Sequence, residues 1–155
     1  MHNGPNTDDE QALDSWKSSF LKKLHEAQSQ CANQFEETLD RAVVPVFDDL
    51  SSFLSDNGFK ISTPLSECGR HSFKYELAEN AYLLMIFRFS AVGEFELRTE
   101  TFVPGAEPLL DRRVGRIADV DADWAQRRFQ DGLDRFVDLL AENAVAQPAE
   151  ELVAV

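Results

Sequence analysis

One face of the first sixty residues limits the fold more than any other feature of the chain. Small or apolar side chains recur at Leu13, Trp16, Phe20, Leu24, Ala27, Cys31, Phe35, Leu39, Val43, Val46, Leu50 and Phe53. That is eleven steps over forty residues, the ~3.6-residue period of a straight α-helix rather than the ~3.5 of a left-handed coiled coil. Such a face has to be buried against something, so the chain is committed to packing a long helix on a second layer.

Pro45 interrupts this face in the stretch FEETLDRAVVPVFDDLSSFLSDNG, residues 35–58. Inside a helix a proline lacks the amide hydrogen and its ring crowds the carbonyl four residues back, here Arg41, at roughly 3 kcal/mol; at the first position of a new helix it costs almost nothing. A fresh start needs a cap, and Val43 and Val44 are poor ones. The stripe keeps its phase across the proline, so one continuous helix is expected over about residues 8–57, kinked near Pro45. Asp8, Asp9 and Glu10 suit its positive end, and Asn57 or Gly58 its C-cap. At about 1.5 Å per residue this helix approaches 70 Å, against roughly 35 Å for the width of a hundred-residue domain. Either the kink folds it back, or its first turns project and meet a partner, most simply a second copy of the chain.

Beyond Gly58 the period falls to two, which signals strands. Phe59, Ile61, Thr63 and Leu65 alternate with Lys60, Ser62 and Pro64, the proline marking an edge. Phe73, Tyr75 and Leu77 alternate with Ser72, Lys74 and Glu76 before a turn at Glu79-Asn80. A further run sets Phe95, Leu97, Thr99, Thr101 and Val103 against Glu94, Glu96, Arg98 and Glu100, the half-solvated pattern of an antiparallel meander. Between them, Leu83, Met85, Phe87 and Phe89 form one face of a strand, and Tyr82, Leu84, Ile86 and Arg88 the other. Both faces are largely apolar, so this strand is expected at the centre with part of its outer face covered. Residues 110–120, LDRRVGRIADV, add a short fifth strand. Asp119 or Asp121 caps a last helix over about 121–146, with Trp124, Phe129, Leu133, Phe136, Val137 and Leu140 on one side.

The outcome is a single α+β domain over residues 8–146, in two layers: a long kinked N-terminal helix, a four- to five-stranded antiparallel meander over about 59–118, and a C-terminal amphipathic helix. Residues 1–7 read as a disordered leader and 147–155 as an acidic tail. With 155 residues, 43% of them hydrophobic and twelve of them phenylalanine, the chain can fill one core.

The net charge of -13 repels nucleic-acid phosphates and anionic lipid headgroups, which argues against either as a partner. The acid is uneven: residues 1–69 hold 12 acidic and 5 basic side chains, and residues 70–135 hold 12 and 10. All the arginines but Arg41 fall in that near-neutral middle. The N-terminus carries no signal-like pattern, YLLMIF is too short to span a bilayer, and Cys31 and Cys68 are too few for a disulfide framework or a structural zinc site. A cytoplasmic location with reduced thiols follows as the expectation, with no membrane span, no metal and no cofactor.

Three groupings of side chains could carry chemistry. Residues 66–71, SECGRH, bring a thiol, an imidazole and a guanidinium together, but Cys68 and His71 stand without a local catalytic signature and read as a turn about Gly69. Arg88, on an apolar strand, wants a carboxylate, and Glu96 on the next strand is the expected partner. Arg112, Arg113 and Arg116 form the basic cluster of an acidic chain, either a docking patch for an anionic group or the solvent side of a strand. Phosphate-loop, dinucleotide, nucleophile-elbow and zinc-protease motifs are absent. On the long helix, residues 25–34 present only Ala27 and Cys31 on the stripe, which lets another helix come close.

The expected function is therefore a non-enzymatic protein-interaction module, adaptor or chaperone-like, dimeric, with a protein partner met through the long helix and the sheet face. The residues assigned to partner or ligand contact are Arg88, Arg112, Arg113, Arg116, Tyr82, Leu84 and Ile86. In size, acidity and helix-plus-sheet build the chain resembles the small acidic chaperones of type III secretion. It departs from them in having no helix between residues 59 and 103. The alternative is a small apolar-ligand-binding domain with a pocket between sheet and helices, lined by Phe73, Tyr75, Phe87, Phe89 and Trp124.

Overall fold

Helical backbone runs unbroken from Thr7 to Asp56, as α1 (Thr7–Thr38), one π turn (Leu39–Val43) and α2 (Val44–Asp56). The computed structural model describes residues 7–146; the expected leader, apart from Thr7, and the expected acidic tail lie outside the described residues. The helix does continue through Pro45, and the π turn explains how. The amide of Val44 donates to the carbonyl of Leu39, five residues back, which widens the backbone just before the proline ring. The same turn corrects the phase. Phe35, Leu39, Val43, Phe47 and Ser51 are all buried and are spaced by four. In a pure α-helix each such step rotates the side chain by about 40°, some 160° in all, and the residue inserted by the π turn takes back about 100°. One face thus stays on the sheet.

The helix ends as expected. Gly58 adopts a φ of 88°, its N–H donates to the Ser55 carbonyl at 3.0 Å, and the Phe59 N–H donates to Leu54 at 3.1 Å. These two bonds satisfy carbonyls left over by the last turn.

The sheet comprises β1 (Lys60–Ile61), β2 (Leu65–Glu67), β3 (Arg70–Ala78), β4 (Ala81–Ala91), β5 (Glu94–Phe102) and β6 (Leu109–Arg116). It is antiparallel in the order β1-β3-β4-β5-β6, with β2 pairing beside β1 on β3. The first predicted strand is split: Pro64 lies between the two short pieces, where its missing N–H interrupts the ladder. No helix interrupts the strands between residues 59 and 103. After a 3-10 turn (Ile117–Asp119), α3 (Ala122–Ala146) is capped by Asp121, whose Oδ1 accepts the Trp124 N–H at 2.7 Å.

The core lies on one face of the sheet, under α2, α3 and the end of α1. Phe47 from α2 meets Phe73 at 4.9 Å, Tyr75 at 5.0 Å and Phe129 of α3 at 6.0 Å between ring centres. A fully buried ring of this kind is worth about 3–5 kcal/mol against alanine. Gly132 lets α3 approach: a Cβ there would stand 3.3 Å from Leu83. At the far edge the ring of Phe95 lies over Gly115 of β6.

The opposite face is partly covered, as expected: Ile86 is buried and Tyr82 and Leu84 are half-buried, but, among the described residues, under side chains and not under a helix. Long polar side chains shade it: Tyr82 stacks on Phe102 at 4.5 Å beneath the Lys74 ammonium at 4.6 Å. Ion pairs Lys74–Glu76, Arg98–Glu100 and Arg112–Glu96 lie around Leu84 and Ile86.

Candidate functional site

The buried face of the N-terminal helix begins at Phe35. Upstream of it α1 is an arm: residues 7–31 add about 37 Å at 1.5 Å per residue, and none of their side chains is buried. The apolar stripe nevertheless continues along it. Leu13 is 52% exposed, Trp16 59%, Phe20 48% and Leu21 51%, and Trp16 stacks on Phe20 at 5.2 Å. An isolated large apolar residue on a surface means little, but a row of them on one helix is a candidate contact surface.

The sheet's outer face is a second surface. The cross-strand register puts Tyr82, Leu84, Ile86 and Arg88 of β4 on it, together with Arg112 and Arg116 of β6. Arg113 alternates to the other face. Six of the seven residues assigned from the sequence therefore share one surface, with an apolar centre and a charged margin. The Arg88–Glu96 pairing does not form: the two are opposite in register, but the Glu96 carboxylate takes the Arg112 guanidinium at 2.9 Å. Arg88 faces Arg70 on its other side and is in no ion pair among the described residues.

Arg113 lines a cleft of about 560 Å³ between the inner face of β5 and β6 and the side of α3, with Thr99, Thr101, Arg128 and Asp131 on its walls and Met85 in its floor. The cleft forms because α3 covers β3 to β5 and leaves β6 open. Phe73, Tyr75 and Phe87 do not line it; they are fully buried among other rings. Arg128 lies over the Trp124 ring at 5.6 Å, its Nε buried without a hydrogen-bond partner.

His71 has a role that local sequence did not reveal. Its Nε2 bonds the Glu36 carboxylate, and its Nδ1 meets the Ser66 hydroxyl at 3.1 Å. The other Glu36 oxygen accepts the Gly69 N–H at 2.8 Å. Because a carboxylate only accepts, Nε2 carries the hydrogen, and in the neutral imidazole Nδ1 then accepts from the Ser66 hydroxyl. The connectivity resembles a nucleophile, base and orienter, yet the adjacent amide of Gly69, which would have to stabilise an oxyanion, is already bonded to Glu36. The cluster works as a pin, fixing the β2–β3 turn to the root of the arm. Cys68 remains exposed and outside it. Ser66 opens the SECGRH segment read from the sequence, but Glu36, 35 residues from His71, carries no local signal that links it there.

Among the described residues no helix is long and apolar enough to cross a membrane. Comparison with known proteins places nothing beside this chain: no family model, no curated protein and no solved structure matches it.

Proposed function

We propose that the chain is a non-enzymatic protein-interaction module, adaptor or chaperone-like, that grips another polypeptide with the exposed face of the α1 arm. The observation that carries this is the row Leu13, Trp16, Phe20 and Leu21, half in water on a helix anchored at one end. An amphipathic helix presented in this way is a recurrent means of recognising protein chains, with aromatic anchors carrying most of the binding energy. The outer sheet face, with half-buried Tyr82 and Leu84 and the largely covered Ile86 inside a margin of Arg88, Arg112 and Arg116, supports the same reading as a second contact.

The test is capture of partners from the native cytoplasm by the parent chain and by Trp16→Ala/Phe20→Ala. Loss of the bound chains with the double variant is expected; the same partners at the same yield would contradict the reading. The 560 Å³ cleft beside α3 favours a second reading, a small-ligand-binding domain, since its volume is in the usual range for such sites. Its rim of arginine and aspartate suits a polar ligand better than the apolar one expected from the sequence. Native mass spectrometry of purified protein separates the two, because a stoichiometric small molecule would favour the cleft.

A further inference from the structure

We infer that the cleft between α3 and β6 binds a small zwitterion, a molecule carrying an ammonium and a carboxylate together, as free amino acids and short peptides do. This rests on the cleft being a small-ligand site, the second reading above, and adds the chemical class of the ligand.

The walls are charged in both signs. Three arginines and four aspartates line the cleft. Arg113 and Asp111 alternate onto the inner face of β6, opposite Leu97 and Thr99 in register. On α3, Arg128, Asp131, Arg135 and Asp138 follow in steps of three, four and three, which sets them along one side of the helix, the side that borders the cleft. Among the described residues none of these seven charges is in an ion pair. The outer face of the same strands behaves differently: there Arg98 pairs with Glu100 and Arg112 with Glu96. The charges inside the cleft are therefore left uncompensated by the protein.

Further polar groups there also lack protein partners. The inner face of β5 turns from Phe95 and Leu97 to Thr99 and Thr101 where the cleft opens. Among the described residues neither threonine hydroxyl is hydrogen-bonded, although Thr101 is buried and buried hydroxyls are ordinarily satisfied. Arg128 lies over the Trp124 ring with its Nε buried and unpartnered. The ring steadies this side chain and shuts one edge of it from water, so an anion on its open edge is held more firmly than by a fully solvated arginine.

The charge pattern selects the ligand. Phosphate or another bare anion would be repelled by the four carboxylates, and a metal ion or a polyamine by the three guanidinium groups. A molecule with one charge of each sign is attracted by both sets. The spacing fits as well. From Arg128 to Asp131 along the helix, or from Arg113 to Asp111 along the strand, is roughly 4.5–7 Å, comparable to the separation of the two charged ends of a dipeptide. A volume of about 560 Å³ accommodates such a molecule with its side chains, and Met85 and Leu97 give those side chains an apolar floor.

Isothermal titration calorimetry of the full chain tests this with L-leucine and with L-alanyl-L-alanine, each beside its N-acetylated and its C-amidated form. At least one free zwitterion is expected to bind in the millimolar range or tighter, with its blocked forms about tenfold or more weaker; comparing the two probes tells amino acid from dipeptide. Arg113 and Asp111 are exposed, so Arg113→Gln and Asp111→Asn should leave the urea midpoint unchanged. Arg113→Gln is expected to abolish the preference for the free carboxylate over the amide, and Asp111→Asn the preference for the free ammonium over the acetylated form. Blocked forms that bind as tightly as the free ones would overturn the zwitterion and leave the small-ligand reading standing. Binding that both variants leave untouched would place the ligand outside the cleft and overturn the proposal. Binding of neither free probe, with no small molecule retained in native mass spectrometry, would overturn the proposal and the small-ligand reading together.

Discussion

Replacing Gly115 with alanine tests the packing that ties the sheet edge to the root of the arm. A Cβ at this position would stand 2.6 Å from Cζ and 2.8 Å from Cε1 of Phe95, where carbon atoms prefer about 3.5–4.0 Å. The ring has nowhere to go. Phe95 is 1% exposed and is enclosed by Trp124 at 5.6 Å, Phe35 at 6.0 Å and Phe87 at 6.1 Å. Relief therefore needs a shift of about 1 Å in a packed core, and overpacking of this size costs about 1–3 kcal/mol. Away from the clash, alanine would be better than glycine in a strand by roughly 0.5–1 kcal/mol, so a net loss can come only from the ring. Urea unfolding followed by circular dichroism should show Gly115→Ala less stable by ~1–2 kcal/mol, with Tm lower by about 2–8 °C. Phe95→Leu in the same chain shortens the obstructing ring. The double-mutant cycle should then return about 1 kcal/mol or more of favourable coupling. Stability within ~0.5 kcal/mol of the parent, or a loss that Phe95→Leu leaves untouched, would refute the account of this contact.

Tyr75→Phe should be neutral or stabilising by up to about 1 kcal/mol, since the Tyr75 hydroxyl is buried with no hydrogen-bond partner and Ser51 approaches without reaching bonding geometry. Burial pushes the Tyr75 phenol well above its ordinary value, with Asp48 adding to the rise and Ser51 opposing it. The phenol thus stays neutral in the fold while the unfolded chain ionises near pH 10. Its contribution is complete below about pH 10 and falls above it by about 1.4 kcal/mol per pH unit. Urea midpoints taken between neutral and strongly alkaline pH should therefore decline more steeply for the parent than for Tyr75→Phe, and equal slopes would sink the idea. Glu36→Ala should cost about 2–3 kcal/mol by releasing both His71 and the Gly69 amide, with Glu36→Gln recovering part of it. Hydrogen exchange at Gly69 reports the pin directly, and unchanged protection in Glu36→Ala would show that Glu36 does not hold the turn.

Period was enough to read the architecture. Alternation located β3 and β5, the two apolar faces of YLLMIF put β4 at the centre, and the absence of a cap before Pro45 carried the helix through the proline. Alternation also placed Tyr82, Leu84, Ile86 and Arg88 on one face. What escaped depends on geometry that no local pattern encodes. The π turn is a response to Pro45 and to a four-residue spacing of buried side chains, and a stripe averaged over forty residues at 3.6 hides it. The cover expected over β4 is supplied by lysine and arginine stems from neighbouring strands, and an apolar pair such as Leu84 and Ile86 gives the same signal whatever shades it. Glu36 and His71 meet only because the helix returns across the sheet. Pairing Arg88 with Glu96 was sound as register, but Arg112 on the strand at Glu96's other side takes the carboxylate, a choice that strand alternation does not encode.

The arm also changes how mutation should be read along the chain. No side chain of residues 7–31 is fully buried, and only Leu24, Ala27 and Cys31 are half-buried, so most substitutions there should weigh little on foldedness. Drift on a helix surface favours lysine, glutamate and alanine over tryptophan and phenylalanine. Trp16 and Phe20 stack there outside the core, so on the proposed function their role would lie in binding and not in folding. A mutational scan scored for abundance alone should therefore be blind to Trp16 and Phe20, and one scored for growth should find them first.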